Sequence, residues 1–119
     1  MLFLNTFKYF FLNYCCDIYV FNKTTFGAAS ALASEITSNI YSAAGMGNAV
    51  IYVCGTCTDI CVVSNVLGLK EHFPETKICV IEDLCAGLTK EKHNAAIEVM
   101  KSCQVDIMSS KDVICGDKK

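Results

Sequence analysis

The sequence predicts an α/β protein, because short β-rich runs alternate with segments of helical periodicity along most of the chain. Two of these runs, Ala49–Gly55 and Lys77–Glu82, are largely apolar, as expected of strands whose two faces are both covered. The links between elements are short, which is typical of parallel strands joined by crossover helices. We therefore predict three layers, α/β/α, around a mainly parallel sheet.

The first predicted strand and helix lie between residues 17 and 44. Aromatic and β-branched residues predict a strand at Asp17–Asn22. The four-residue spacing of Leu32, Ile36 and Ile40 predicts one apolar helix face, so we place a helix over Ala28–Ala44. Two glycines follow it and are expected to end it.

Two further helices and a last strand complete the predicted order. We expect a helix from Asp59 to about Phe73, with Thr58 as its cap, after the strand at residues 49–55. After the strand at residues 77–82, Thr89 is expected to cap a helix that reaches about Ser102, and Val105–Met108 forms a short final strand. Ligands of such sheets bind beyond the carboxyl ends of the strands.

Composition limits the classes of function. With 119 residues, 53% of them hydrophobic and 18% charged, the chain suits one folded domain and excludes a disordered protein. A formal net charge of −2 without a basic block disfavours nucleic acid as a partner. Nine cysteines, an odd number, together with an apolar start that lacks signal-peptide features, favour a reducing, cytoplasmic environment.

The first 16 residues are apolar and form a separate segment from the domain expected at residues 17–119. Polar residues at Asn5, Lys8 and Asn13 interrupt them, which disfavours a membrane span of about 20 uncharged residues. We expect either a short hydrophobic element that packs on the domain or the altered start of a truncated chain.

The turn after the second predicted strand contains the candidate catalytic residues. The segment Cys54–Val62 (CGTCTDICV) passes from a buried strand into a helix. If Thr58 is the cap, Cys61 is the third helical residue, near the positive end of the helix dipole, which favours the nucleophilic thiolate. Amide groups of the same turn would hold an oxyanion. The local pattern alone somewhat favours the alternative, a small buried residue under a helix start.

Four motifs in order resemble the nicotinamidase/isochorismatase family of cysteine hydrolases, from about Asp17 to Ser110. The motifs are DIYVFNKTTF ending at Phe26, GTCTDICV at residues 55–62, DLCAG at residues 83–87, and His93 with Ala96, followed by CQVDI at residues 103–107. Lys23 precedes Cys61 by 61 − 23 = 38 residues, a separation close to that of the family.

The resemblance implies roles for individual residues. Cys61 would attack a small amide and form a thioester, and Lys23 would stabilise charge near the thiolate. The backbone N–H groups of Cys57 and Cys61 would form the oxyanion hole, and the Thr56–Cys57 peptide would be cis. Phe26 would contact substrate. Without the family, Lys23 is equally consistent with a solvated strand-end lysine. No metal and no cofactor are expected.

The resemblance covers the C-terminal two-thirds of the family pattern and departs from it in one important respect. The family's third catalytic group, an aspartate at the end of its first strand, has no counterpart, because Asp17 begins rather than ends a strand. The family's metal-ligand spacing is also absent at His72 and His93, and His93 is expected to be structural. We therefore expect weak or absent hydrolase activity, marginal stability, and an open sheet flank suited to a homo-oligomer.

Other functions stay open at this stage. Cys54 and Cys57 form a C-x-x-C that would suit a thiol-redox protein, although Cys54 still belongs to the predicted strand. A non-catalytic fold that binds a partner is the other alternative. The glycines at Gly45 and Gly47 precede a strand, which reverses the order of a dinucleotide-binding fingerprint, and a second C-x-x-C for zinc is missing.

Overall fold

A computed structural model gives the structure of the chain, and it describes residues 6–10, 18–38 and 50–116. Within these residues, the strands are β1 (Thr6–Phe10), β2 (Ile18–Asn22), β3 (Val50–Thr56), β4 (Lys77–Ala86) and β5 (Asp106–Met108). The helices are α1 (Ala29–Ile36), α2 (Val63–His72), α3 (Lys90–Ser102) and α4 (Ser110–Gly116), and a π-helical turn (Thr58–Val62) precedes α2. The described strands lie in one sheet in the order β2-β1-β3-β4-β5.

Strand direction brings the ends that matter to one edge of the sheet. Strands β3, β4 and β5 are parallel, which confirms the predicted α/β class. Strand β1, which the sequence analysis does not predict, runs antiparallel to both β2 and β3. Because β1 is antiparallel to both of its neighbours, β2 and β3 run in the same direction. The carboxyl ends of β2, β3 and β4 therefore share one edge.

The core lies where β3 and β4 meet the helices. Three consecutive residues of β4, Ile78–Val80, are buried, so both faces of this strand are covered, as predicted. Helix α2 contributes Val66 and Leu69, both fully buried. Burying an aliphatic side chain of this size contributes about 1.5–3 kcal/mol, so this cluster holds the sheet and helices together.

Most predicted elements agree with the structure within the described residues. Helix α1 begins at Ala29, while the part of the predicted helix beyond residue 38, with its terminating glycines, lies outside the described residues. Thr89 caps α3 as predicted, since its hydroxyl accepts a hydrogen bond of 3.2 Å from the Lys92 N–H. The final strand, β5, is also where the sequence places it.

Helix α4 is an addition that the sequence analysis missed. Ser109 and Asp112 bond reciprocally at its start: the Asp112 carboxylate accepts from the Ser109 N–H at 3.0 Å, and the Ser109 hydroxyl accepts from the Asp112 N–H at 3.2 Å. This is a capping box, and its S-x-x-D spacing is visible in the sequence.

Two predicted details at the carboxyl edge are wrong. The cap of the helix after β3 is Cys57 rather than Thr58, and the first turn is π-helical, so Cys61 is the fourth residue of the turn and not the third. Strand β4 continues to Ala86 instead of ending at Glu82. The ladder shifts register between Val53 and Gly55, whose φ of 137° suits glycine, and β3 pairs with β4 again beyond this shift.

Candidate active site at the carboxyl edge of the sheet

Cys61 lies in the π-helical turn that follows β3, and it is 2% exposed. The turn is closed by the carbonyl oxygen of Cys57, which accepts from the N–H groups of Ile60 and Val62, each at 3.1 Å. The peptide bond between Thr56 and Cys57 is cis. Backbone of the two residues assigned to an oxyanion hole, Cys57 and Cys61, thus belongs to one short turn.

Lys23 follows β2 directly and is buried, with 8% of its surface exposed. Its Nζ donates a hydrogen bond of 2.9 Å to the carbonyl oxygen of Thr25. A lysine that is merely solvated at the end of a strand would be exposed, so burial disfavours that alternative. Burying an ammonium group is costly unless it is hydrogen-bonded, and the bond to the Thr25 carbonyl offsets part of that cost.

Asn65, on α2, joins the loop that contains Lys23 to the turn that contains Cys61. Its Oδ1 accepts from the Ala28 N–H at 2.8 Å, and its Nδ2 donates to the carbonyl oxygens of Phe26 (3.1 Å) and Cys61 (2.8 Å). The side chain is fully buried. Asn65 is not among the site residues predicted from the sequence. Its spacing of three residues from Val62 and four from Leu69 puts a polar residue on an apolar helix face, which is a readable signal.

Asp59 and Thr58 join the same turn to the elements on its other side. The Asp59 carboxylate accepts from the Leu88 N–H at 3.0 Å, and the Thr58 hydroxyl is 2.8 Å from Nδ1 of His93. Nε2 of His93 lies 3.7 Å from a carboxylate oxygen of Glu82. The imidazole is therefore held between two side chains, as expected of a structural histidine. Thr58 was predicted to cap a helix, but this bond uses its hydroxyl instead.

Large apolar side chains stand exposed around this edge. Phe26, in the loop after β2, is 67% exposed, while Leu84 near the end of β4 and Leu88 just beyond it are 51% and 59% exposed. Phe26 was expected to contact substrate. Its carbonyl is fixed by Asn65, and its ring faces solvent.

The environments of the other cysteines disfavour a redox role for the C-x-x-C. Cys54 lies inside β3, whereas such motifs place their first cysteine at a helix start. Burial raises the pKa of the Cys54 thiol, and burial likewise raises the pKa of Cys85 to about 11. Burial thus disfavours the thiolate at both positions, and neither thiol resembles an attacking nucleophile.

The described residues do not fit a metal site. In residues 6–10, 18–38 and 50–116, no three His, Cys, Asp or Glu side chains are grouped so that they would hold an ion. Nδ1 of His72 is 2.8 Å from the Gly68 carbonyl, and His93 is engaged by Thr58. No step proposed below uses a metal. None of the helices in this described part has the length and apolarity to cross a bilayer.

Comparison with known proteins decides the family. The model of the isochorismatase domain family matches residues 15–112, which is most of the chain. The chain belongs to the isochorismatase family. This agrees with the resemblance from about Asp17 to Ser110. A nicotinamidase of Schizosaccharomyces pombe is 30% identical over 91 residues, a match that covers 67% of this chain and 40% of that protein.

Solved structures show the same fold. The pyrazinamidase of Pyrococcus horikoshii, solved in complex with zinc, superposes with a TM-score of 0.59 at 25% identity, covering 73% of this chain and 45% of that one. The nicotinamidase/pyrazinamidase of Bacillus subtilis gives 0.59 at 21% identity, covering 73% and 44%. The isochorismatase-family chain thus spans less than half the length of these relatives.

The structure brings the sequence-predicted residues together in two groups. Thr56, Cys57 and Cys61 lie on one segment that runs from the end of β3 into the π-helical turn, and Lys23 and Phe26 belong to the loop at residues 23–28. The two groups are joined through Asn65 at the shared carboxyl edge. An isochorismatase-family hydrolase fold therefore presents a buried cysteine and a buried lysine on adjoining segments.

Proposed function

We propose that this chain is a cysteine hydrolase of small amides, in which Cys61 is the nucleophile. The observation that supports this most is the strand-to-helix turn holding Cys61, with the buried Lys23 on the loop tied to it. The names of the relatives, nicotinamidase and pyrazinamidase, point to a small aromatic amide as the substrate class.

The reaction would proceed in two stages. The Cys61 sulfur, as thiolate, attacks the carbonyl carbon, a C–S bond forms, and the oxyanion is held by the backbone N–H groups of Cys57 and Cys61. The tetrahedral intermediate collapses, the C–N bond breaks, and the nitrogen leaves as ammonia with the proton that the thiol released. Water then cleaves the thioester, giving a carboxylic acid and restoring Cys61. Lys23 would stabilise the thiolate and the negative charge of the intermediate.

Proton transfer is expected to limit the rate of the proposed reaction. Asp59 is the acidic residue nearest to Cys61 in sequence, and its carboxylate is engaged by the Leu88 N–H. A positioned general acid–base group contributes about 10²–10⁴-fold to such reactions. We therefore expect turnover lower by about this factor than in a hydrolase of this kind that has such a group.

Release of ammonia from nicotinamide and pyrazinamide would test the proposal, with Cys61→Ala as the matched inactive control. We expect slow hydrolysis by the wild type, none above background by Cys61→Ala, and at least a tenfold loss in Lys23→Met. Intact-mass measurement during turnover should show the acyl adduct on the wild type. If wild type and Cys61→Ala are equally inert and no adduct forms, the chain is a non-catalytic binding fold and the proposal fails.

A further inference from the structure

Asn65 makes hydrogen bonds that exceed what a helix needs. A side chain that only capped its own helix would bond four residues back, as Nδ2 does to the Cys61 carbonyl at 2.8 Å. The other two bonds reach 37 and 39 residues back in sequence, to the Ala28 N–H and the Phe26 carbonyl. Both amide hydrogens and one oxygen lone pair are therefore used, in a side chain with no exposed surface.

The two distant hydrogen bonds fix the segment at residues 26–28 at two places. Phe26 and Ala28 are two residues apart, and the amide of Asn65 meets the acceptor of one and the donor of the other. Such a paired contact fixes both the separation and the orientation of the segment relative to α2. Lys23 folds back on this segment, because its Nζ donates to the carbonyl oxygen of Thr25 at 2.9 Å.

Pairing of strands in the sheet does not fix the Lys23 loop relative to the Cys61 turn. Strand β1 lies between β2 and β3, so no backbone ladder joins the strand before Lys23 to the strand before Cys61. The relation between the two segments depends on side chains and on the packing of α1 against α2. Asn65 contributes three hydrogen bonds at that junction, one of them to the carbonyl of Cys61 itself.

We propose that Asn65 is a positioning residue that sets where the Lys23 loop lies relative to Cys61. The proposal rests on the proposed function, since it gives the lysine an effect on the cysteine thiolate. Its three hydrogen bonds go to backbone groups and not to the Cys61 sulfur or the Lys23 ammonium group. It acts through the loop, so its removal lowers the reactivity of Cys61 without altering Cys61 or Lys23.

The test measures the rate of Cys61 alkylation by iodoacetamide between pH 5.5 and 9.5, site by site, on the 119-residue chain. The central variant is Asn65→Ser, whose hydroxyl keeps the bond to the Cys61 carbonyl but is too short to reach the loop. Asn65→Asp is the second variant, because it keeps the shape and lacks the two amide donors. We expect each to lower the alkylation rate at pH 6.5 about fivefold or more and to move the half-maximal rate to higher pH.

A double-mutant cycle with Lys23→Met separates positioning from simple stability. If Asn65 acts through the lysine, Lys23→Met causes a loss of the same size, and Asn65→Ser causes no further loss in that background. A purely structural asparagine would lower the melting temperature while leaving the pH profile of the folded protein unchanged, and that result overturns the inference. If Lys23→Met itself leaves the profile unchanged, the inference fails, whereas the proposed function is decided separately by ammonia release from the wild type and from Cys61→Ala.

Hydrogen exchange on the wild type provides a test that needs no variant to fold. The Ala28 amide, which donates to Asn65, should exchange as slowly as the amides inside α2. Exchange of Ala28 at the rate of the exposed residues in the same loop would show that the contact does not hold the loop, and would overturn the inference.

Discussion

Two loops flank the turn that carries Cys61, and they are attached to it in different ways. The loop at residues 87–89 follows β4, which pairs directly with β3, so the backbone ladder already places it. One carboxylate, that of Asp59, adds a bond to Leu88. The loop at residues 23–28 follows β2, which β1 separates from β3, and it depends on the buried amide of Asn65. At this edge, backbone pairing places the loop at residues 87–89, whereas side-chain hydrogen bonds place the loop at residues 23–28.

This difference has a consequence for where mutations act. Removing a side-chain link matters most where no ladder supports the loop and where the freed groups are buried. We therefore expect changes on the Lys23 side of Cys61 to exceed equivalent changes on the Leu88 side.

The largest effect is expected for Asn65→Ala. It removes the hydrogen bonds that this buried side chain makes to the Ala28 N–H and to the carbonyls of Phe26 and Cys61, and we expect the unfolding free energy to fall by about 2–4 kcal/mol. Urea denaturation followed by circular dichroism measures this. Ser64→Ala is the matched control on the neighbouring, exposed position, and it should change stability by less than about 0.5 kcal/mol. Equal losses in the two variants would contradict the account.

Gly68→Ala should be next. A Cβ at position 68 would clash with the Cβ of Ala29, so α1 and α2 would have to move apart. We expect a loss of about 1–3 kcal/mol in the same measurement. Gly27→Ala is the control, since its Cβ would meet the Cβ of Ser64 at an ordinary 3.5 Å. Adding Ala29→Gly to Gly68→Ala should restore part of the loss, and failure of this rescue would show that the contact does not limit the approach of the helices.

On the Leu88 side, Asp59→Ala should have a smaller effect. It removes one bond to a loop that the β3–β4 ladder already supports, so we expect a loss of about 1 kcal/mol. It should also leave the alkylation rate of Cys61 within twofold of the wild type. A loss as large as that of Asn65→Ala would break the comparison between the two loops.

The smallest expected effect concerns pH and the junction of β4 with α4. Hydrogen bonds from the Ser110 side chain, and then from its backbone N–H, lower the pKa of Asp83. A lowered pKa means that the carboxylate stabilises the fold above its unfolded value of about 3.9, and that this contribution disappears as pH falls through the lower folded value. Asp83→Asn should slightly lower the urea midpoint at pH 7 and match the wild type near pH 2. A difference that persists unchanged at pH 2 would contradict this assignment.

Much of the fold was readable because single elements carry strong local patterns. The run Lys77–Glu82 predicts a buried strand, and Thr89 predicts the start of a helix. The structure confirms both elements. The π-helical first turn was not readable, because it depends on which carbonyl the Ile60 and Val62 amides select, and the Cys57 carbonyl accepts both. The register shift beside Gly55 likewise arises from pairing between strands.

The site was readable in part, for a similar reason. Cys61 and Lys23 were named from motif and spacing, and their roles stay predictions. Asn65 was missed because two of its partners are backbone groups 37 and 39 residues away. Every residue has such groups, so the sequence does not show which of them a distant side chain will contact. The polar residue on an apolar helix face indicated that a partner exists, but not where it lies.

The central proposal is that Cys61, although buried, is the nucleophile of this site, and site-resolved alkylation at pH 6 tests it most directly. Cys79, also buried and with a pKa that burial raises, is the matched control, and Cys103 is an exposed reference. The account predicts that iodoacetamide modifies Cys61 at least about tenfold faster than Cys103 and leaves Cys79 intact, because the thiolate is the reacting form. Modification of Cys103 first, with Cys61 as unreactive as Cys79, would contradict it.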